Sequence, residues 1–382
     1  MQHHPKQLLA YIKERKDEFV SLVEALVSIE TPPSHPDHQV ELIQLLIKQL
    51  REIDFYTRHL AGNNSGGQLY ARPTNRKHGA PNQLLIGHCD TAWPLETLER
   101  MPFSFRQGTI TGPGSYDMKT GIAMMLMALK TLKHFNIQPS LTPVVFIYSD
   151  EIAGTPESRP TIERLARYAD RAFILEPSKE KSGEIFTSSM GFGNFHIRIR
   201  NNSSSTDFMS ESGNGAMLEL SQAVQRFYDL NDPDRDIYIE VSEIDDGMRS
   251  NILTGEHQAN VQVRLGNPDD ISFIEERAYE IESTTSGVDI SIEGGIYRPP
   301  MLQNERNYQL WSKVERLADR LGIPLNHSRR EKASVATITN PYTATIDGLG
   351  PVGLGAFSYR ESVDLDRTLE RCALLTLLLS ID

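Results

Sequence analysis

Cysteine is nearly absent: two residues, Cys89 and Cys372, serve 382 positions. That excludes a disulfide framework and a cysteine-rich zinc module, and it points to a reducing compartment. Long apolar runs are missing as well. The longest, Ile122 to Leu129, falls far short of the ~18 residues of a membrane span. The start, Met-Gln-His-His-Pro-Lys-Gln, lacks the charged-then-apolar pattern of a secretion signal. The expectation is a cytoplasmic protein with no membrane partner. Basic residues are outnumbered, 39 Lys and Arg against 51 Asp and Glu, giving a net charge of −12; that balance argues against a nucleic-acid partner. What remains is ordinary: 39% hydrophobic and 24% charged residues, a composition that excludes collagen-like and disordered classes. The length suggests two domains, or one with a large insert.

Residues 7–29 and 39–53 carry apolar positions at three- and four-residue spacing on either side of Thr31-Pro32-Pro33, which predicts two surface helices joined by a stiff turn. Three short apolar runs follow. Gln83–Gly87 leads into His88-Cys89-Asp90-Thr91, Leu141–Tyr148 into Ser149-Asp150-Glu151, and Ala172–Leu175 into Glu176-Pro177. Apolar strands ending in polar residues predict a sheet buried on both faces with its chemistry at the strand ends. Between the first two lies 117–135, apolar nearly all round, which predicts a buried helix. After about residue 190 the pattern changes. Phe195–Arg200, Ile237–Val241 and Ala259–Arg264 alternate apolar with polar, as antiparallel strands with one wet face do, with helices at 215–229 and 271–283 between them. From Tyr308 the buried texture returns, closing on a helix over 366–379. The expected organisation is an α/β catalytic domain with a central, mostly parallel sheet, formed by 1–190 and 299–382, with an inserted α+β domain over 191–298.

The strand ends carry the chemistry. In His88-Cys89-Asp90 two polar side chains lie two apart, on one side of a strand, so Asp90 would hold the imidazole in the tautomer a metal ligand needs. Cys89 would point the other way, as a core thiol. Gly112-Pro113-Gly114-Ser115-Tyr116-Asp117-Met118-Lys119-Thr120-Gly121 is a glycine-rich loop running into a helix, in which Asp117 reads equally as a helix cap. Asp150-Glu151 reads equally as a solvated turn. Ser115, Cys89 and His134 are set aside as nucleophiles, because no Gly-x-Ser-x-Gly elbow and no Cys-His pairing is present.

Taken together, Gly-His88-x-Asp90-Thr, Gly-x-Gly-x-x-Asp117-Met-Lys-x-Gly, Asp150-Glu151 and Leu-Glu176-Pro resemble the zinc aminoacylase/carboxypeptidase G family, which includes acetylornithine deacetylase and succinyl-diaminopimelate desuccinylase. Arg249-Ser-Asn251-Ile252, Asn260-Val-Gln-Val-Arg264, Arg298-Pro-Pro-Met301 and Gly348-Leu-Gly-Pro-Val-Gly-Leu-Gly-Ala356 extend the resemblance over essentially the whole chain. It implies a zinc-peptidase-like catalytic domain, an inserted lid that makes homodimers, and two zinc ions bridged by an aspartate and a water. Carried over by motif, His88, Asp117 and Glu176 would hold one zinc, with cobalt or manganese as substitutes. Asp90 would orient His88, Glu151 would be the general base, and Arg264 and Asn251 would bind a substrate carboxylate. Arg264 reads equally as a lid arginine paired with a surface carboxylate.

The chain departs from that pattern at the second zinc. The family's Asp-Glu-Glu is Asp150-Glu151-Ile152, and its closing Gly-x-Gly-Ala-His is Gly353-Leu354-Gly355-Ala356-Phe357; the last histidine in the chain is His327. The lid's Ala-His-Ala-Gly histidine falls on Ser205, in a stretch without histidine between His196 and His257. The Gly-Gly-x-Ser-Asp loop reads Lys332-Ala333-Ser334-Val335, and the arginine before the lid's first glycine is Ser189. The leading expectation is a hydrolase of an amide or peptide-like bond, in an N-acyl amino acid or short peptide, running on one metal ion. Two alternatives stay open: a catalytically silent relative that binds a small molecule or a partner, and a site rebuilt around Ile152 and Phe357.

Overall fold

The computed structural model describes residues 5–76, 79–201, 211–245, 248–249, 252–253 and 256–381. Its contacts divide the chain into two units, one of residues 1–187, 303–329 and 334–382 and one of residues 188–302 and 330–333.

The first unit is built on a six-stranded sheet in the order Phe55–Leu60, Gln68–Pro73, Thr142–Tyr148, Asn82–His88, Arg171–Ile174, Ala344–Ile346. The four strands from Thr142–Tyr148 onward run parallel, and the two at the other edge pair antiparallel. Six of the seven residues in each of Asn82–His88 and Thr142–Tyr148 are buried, so the continuous apolar runs in the sequence correspond to strands covered on both faces. The helices Thr120–His134 and Leu365–Ser380 pack together in the core, where the Cys372 thiol lies 3.5 Å from the Met124 carbonyl oxygen. Gly121, at the start of the first of these, allows the close approach that matters most for the site. A Cβ there would sit 2.2 Å from the Leu175 carbonyl oxygen, so only glycine lets this helix end meet the end of the strand that precedes Glu176.

Two helix boundaries differ from the sequence expectation. The stretch 7–29 forms two helices, Pro5–Glu14 and Lys16–Val27. At Arg15 the N–H bonds back only three residues, to Ile12 O, and the guanidinium stacks 3.5 Å from the Tyr11 ring centroid, which turns the chain between them. Lys16–Val27 and Pro36–Glu52 are surface helices as expected, each with one apolar face buried and the other exposed. The helix expected from Asp117 begins at Thr120. Residues 115–119 form a wide turn in which Asp117 (φ −118°, ψ 94°) and Met118 are not helical and the Asp117–Met118 peptide is cis.

The second unit is a four-stranded antiparallel sheet in the order Ile237–Asp245, Glu256–Leu265, Gly191–Asn201, Val288–Arg298. Burial alternates strictly along Glu256–Leu265 and along most of Gly191–Asn201. The inward residues Phe195, Ile197, Ile199, Val261 and Val263 pack with Leu220 and Phe227 of helix Glu211–Tyr228 and Ile274 of helix Asp270–Tyr279. The two-residue alternation puts one face of the sheet on its helices and leaves the other polar.

Candidate metal centre

The parallel sheet brings its strand ends to one edge, and backbone bonds carry the alignment past the last strand residue. Cys89 N–H donates to Tyr148 O at 2.8 Å, Leu175 N–H to Ile86 O at 3.0 Å, and Thr91 N–H to Thr31 O at 3.0 Å. His88, Asp90 and Glu176 are therefore placed by main-chain pairing rather than by flexible loops. Asp117 arrives from the wide turn at 115–119. Gly114 opens that turn at φ +72°, and a Cβ on it would lie 2.5 Å from Thr91 Cγ2.

Four groups converge. His88 Nε2 lies 3.3 Å from Asp117 Oδ1 and 3.5 Å from Glu176 Oε1. One ligand atom from each of the three residues falls within 4.8 Å of the others, the spacing of a set that could close on one ion. On the other side of the ring, His88 Nδ1 is 2.9 Å from the Asp90 carbonyl oxygen and 3.3 Å from Asp90 Oδ1. The centre is almost dry, with His88 at 2% and Glu176 at 3% exposure. Asp117 Oδ1 is buried and has no hydrogen-bond partner among the described residues. Burial pulls the His88 pKa down, but the surrounding carboxylates of Asp117, Asp90 and Glu176 outweigh it and hold the imidazole well above its ordinary value. Three carboxylates around one imidazole in a buried site form a set that wants a cation. An imidazole and two carboxylates suit a divalent metal, and a partner on Nδ1 fixes the tautomer that leaves Nε2 free to ligate.

The sequence missed what holds Asp117. Glu361, 1% exposed, accepts from Tyr116 N–H at 2.8 Å and Asp117 N–H at 3.0 Å on Oε1, and from Gly114 N–H at 3.0 Å and the Trp93 indole N–H at 2.7 Å on Oε2. This one carboxylate fastens the whole 114–117 turn. Glu361 lies 244 positions from Asp117 in a short polar turn, and nothing in its local sequence, Arg360-Glu361-Ser362-Val363, marks it out. Lys119 lies beneath the same turn. It is 1% exposed, its ammonium donates to Ile29 O, and burial lowers its pKa to about 8.

The remaining candidates are distributed as follows. Glu151 is partly buried, and its Oε2 accepts from the Tyr148 hydroxyl at 2.7 Å and the Thr155 hydroxyl at 2.9 Å. Asp150 turns away from the centre to cap the 157–158 backbone, with its pKa raised by burial despite those bonds. Ile152 is tied to the centre through its backbone: its N–H donates to Asp90 Oδ2 at 2.8 Å. Ser334, whose neighbouring aspartate is lost in the sequence, has a carboxylate after all: its hydroxyl bonds Asp347 Oδ2 at 2.8 Å. Arg264 belongs to the second unit and lies 3.4 Å from Glu240, the surface pairing that the sequence left open. Asn251 and Ser205 fall outside the described residues.

Comparison with known proteins agrees with this geometry. The model of "Peptidase family M20/M25/M40" matches residues 84–380. Carboxypeptidase G2 of Pseudomonas sp. (strain RS-16) is 26% identical over 361 residues, 91% of this chain and 85% of that protein. Among solved structures, aminopeptidase PepT of Bacillus cereus superposes with a TM-score of 0.75 at 18% identity, covering 96% of this chain and 98% of that one. The Bacillus subtilis YXEP protein, described as a dinuclear metal-binding peptidase of the M20 family, gives 0.67 at 13% identity over 96% and 98%. All three are named for peptide hydrolysis, and none supports the catalytically silent alternative.

Proposed function

The chain belongs to peptidase family M20/M25/M40, a family of metal-dependent hydrolases of peptide and related amide bonds, and from that premise we propose a single-metal enzyme. His88, Asp117 and Glu176 hold the one ion, zinc by preference. Its substrate is an N-acyl amino acid or short peptide with a free carboxylate. The observation that carries this reading is the buried three-residue set, in which Asp117 Oδ1 lacks a hydrogen-bond donor among the described residues. Bound there, the metal would polarise the scissile carbonyl and acidify a water molecule.

The chain's own residues do the rest. Asp90 fixes the His88 ring from behind. Glu151 takes the proton of the attacking water and returns it to the leaving nitrogen. The Tyr148 and Thr155 hydroxyls donate to Glu151 Oε2 and restrain the carboxylate, which supports that role. Arg264 and Asn251 receive the substrate carboxylate. The Arg264–Glu240 pair is a surface one, worth about 0–1 kcal/mol, and is readily exchanged for a ligand. Ile152 and Phe357 offer no ligand atom for a second ion. The enzyme works in the cytoplasm as a homodimer formed through the 191–298 domain.

Elemental analysis after dialysis against excess zinc tests the reading, run beside His88→Ala and Asp117→Ala. One zinc per chain, lost in both variants, is expected. Two would show that Ile152 and Phe357 do not close the second site, and none would overturn the metal centre.

A further inference from the structure

Among the described residues of the first unit, the strongly exposed large side chains are Tyr56, Ile152, Tyr168, Tyr308, Phe357 and Tyr359. Four are tyrosines, which keep a hydroxyl for water. Only Ile152, 37% exposed, and Phe357, 51% exposed, set a wholly apolar side chain in solvent, and both belong to segments bonded to the metal centre. Ile152 N–H donates to Asp90 Oδ2, and Asp90 in turn backs His88. Phe357 sits in the turn that ends at Glu361, the residue fastening Asp117. That turn is pinned at both ends. Gly355 N–H donates to Glu180 Oε1 at 2.8 Å, and Glu361 N–H donates to Ser358 O at 2.9 Å.

Phe357 is held at φ +61°, a left-handed backbone that costs a bulky residue free energy and persists where the surroundings impose it. An adjacent ring pair is fixed by the same carboxylate. Trp93 donates its indole N–H to Glu361 Oε2 and packs against the exposed Tyr359, with ring centroids 5.3 Å apart at 56°. Exposed apolar and aromatic side chains tied by hydrogen bonds to a polar centre are the composition of a ligand site, a few polar groups with apolar walls around them.

We propose that Ile152, Phe357 and the Trp93–Tyr359 pair form an apolar subsite that receives a bulky aromatic or aliphatic group of the substrate beside the scissile amide. The proposal rests on the hydrolase reading for what the occupant is, and on the geometry above for where it goes. It makes the two residues that replace metal ligands specificity determinants. A substrate group would cover the exposed part of these side chains, and ring stacking adds a geometric preference for aromatic groups.

The test is ligand binding, which does not require turnover. The full chain, chelator-treated and separately zinc-dialysed, is titrated with N-acetyl-L-alanine, N-benzoyl-L-alanine and N-acetyl-L-phenylalanine by intrinsic tryptophan fluorescence and calorimetry. At least one aromatic ligand should bind about tenfold or more tightly than N-acetyl-L-alanine, and which one does so tells whether the subsite lies on the acyl or the amine side. Phe357→Ala and Ile152→Ala should each bring that ratio toward one. Phe357→Asn, which suits a left-handed backbone, should do the same with the turn intact. Equal affinity for all three ligands, no binding, or a ratio indifferent to both Phe357 variants would overturn the subsite. An aromatic preference in a wild-type chain that takes up no zinc on dialysis would leave the subsite standing and remove the metal reading; one bound zinc with no aromatic preference would do the reverse.

Discussion

Replacing Glu361 by glutamine is the sharpest perturbation of the centre that touches no metal ligand. The wild-type carboxylate takes four N–H donors, two on each oxygen, with donor–acceptor distances of 2.7–3.0 Å. An amide keeps one acceptor oxygen and turns an NH2 group against two donors. In the better orientation the oxygen stays on Tyr116 and Asp117, while Gly114 N–H and the Trp93 indole lose their acceptor. A buried donor left without a partner costs about 1–3 kcal/mol, so two cost roughly 2–6 kcal/mol. Trp93 is only partly buried and can recover water, which places the expected loss near the lower end, at about 2–4 kcal/mol. Because the same carboxylate fixes the backbone of Asp117, zinc affinity should fall about 10- to 100-fold, as it does when an outer partner of a metal ligand is lost. Urea unfolding followed by tryptophan fluorescence reads the first effect, and zinc competition with a chromophoric chelator reads the second. A Glu361→Gln protein with an unchanged urea midpoint and unchanged zinc affinity would refute the claim that this carboxylate holds the turn.

Further expectations concern the lost second site and the two thiols. The double variant Ile152→Glu/Phe357→His should bind two zinc ions per chain where each single variant binds one, histidine being among the residues that tolerate the positive φ at 357. A stoichiometry still at one would mean that the site is closed by more than these two side chains. Cys89 and Cys372 are both fully buried, and burial pushes both thiols up from their ordinary pKa. Neither should react with a disulfide reagent in the folded protein at mildly alkaline pH, and both should react in guanidinium chloride; a fast-reacting thiol in the native state would contradict the packing around it.

The strand ends were legible because their information is local. A continuous apolar run means a strand covered on both faces, and the polar residues after it must then emerge at the sheet's edge, so His88, Asp90 and Glu176 could be singled out before any coordinates. The alternating pattern of the second unit was equally plain, since a two-residue period admits one wet face. The break at Arg15 and the non-helical turn at Asp117 were hidden. Helical spacing continues through both, and only the hydrogen bonds actually made decide where a helix starts.

What the sequence by itself determined is the set of candidate ligands, an imidazole and carboxylates at strand ends; its resemblance to the family added isoleucine and phenylalanine at the positions where that family's second ion has ligands. Tertiary structure alone decided the rest. It showed that the three ligand atoms close within 4.8 Å, that Glu361 reaches across 244 positions to hold Asp117, that Asp347 supplies Ser334 with a carboxylate, and that Ile152 and Phe357 stand exposed in segments bonded to the site. The physical reason is the same in each case. Ligand identity is a property of single residues, whereas convergence depends on sheet pairing and on buried carboxylates seeking donors, and those partners are set by the fold rather than by neighbours in the chain.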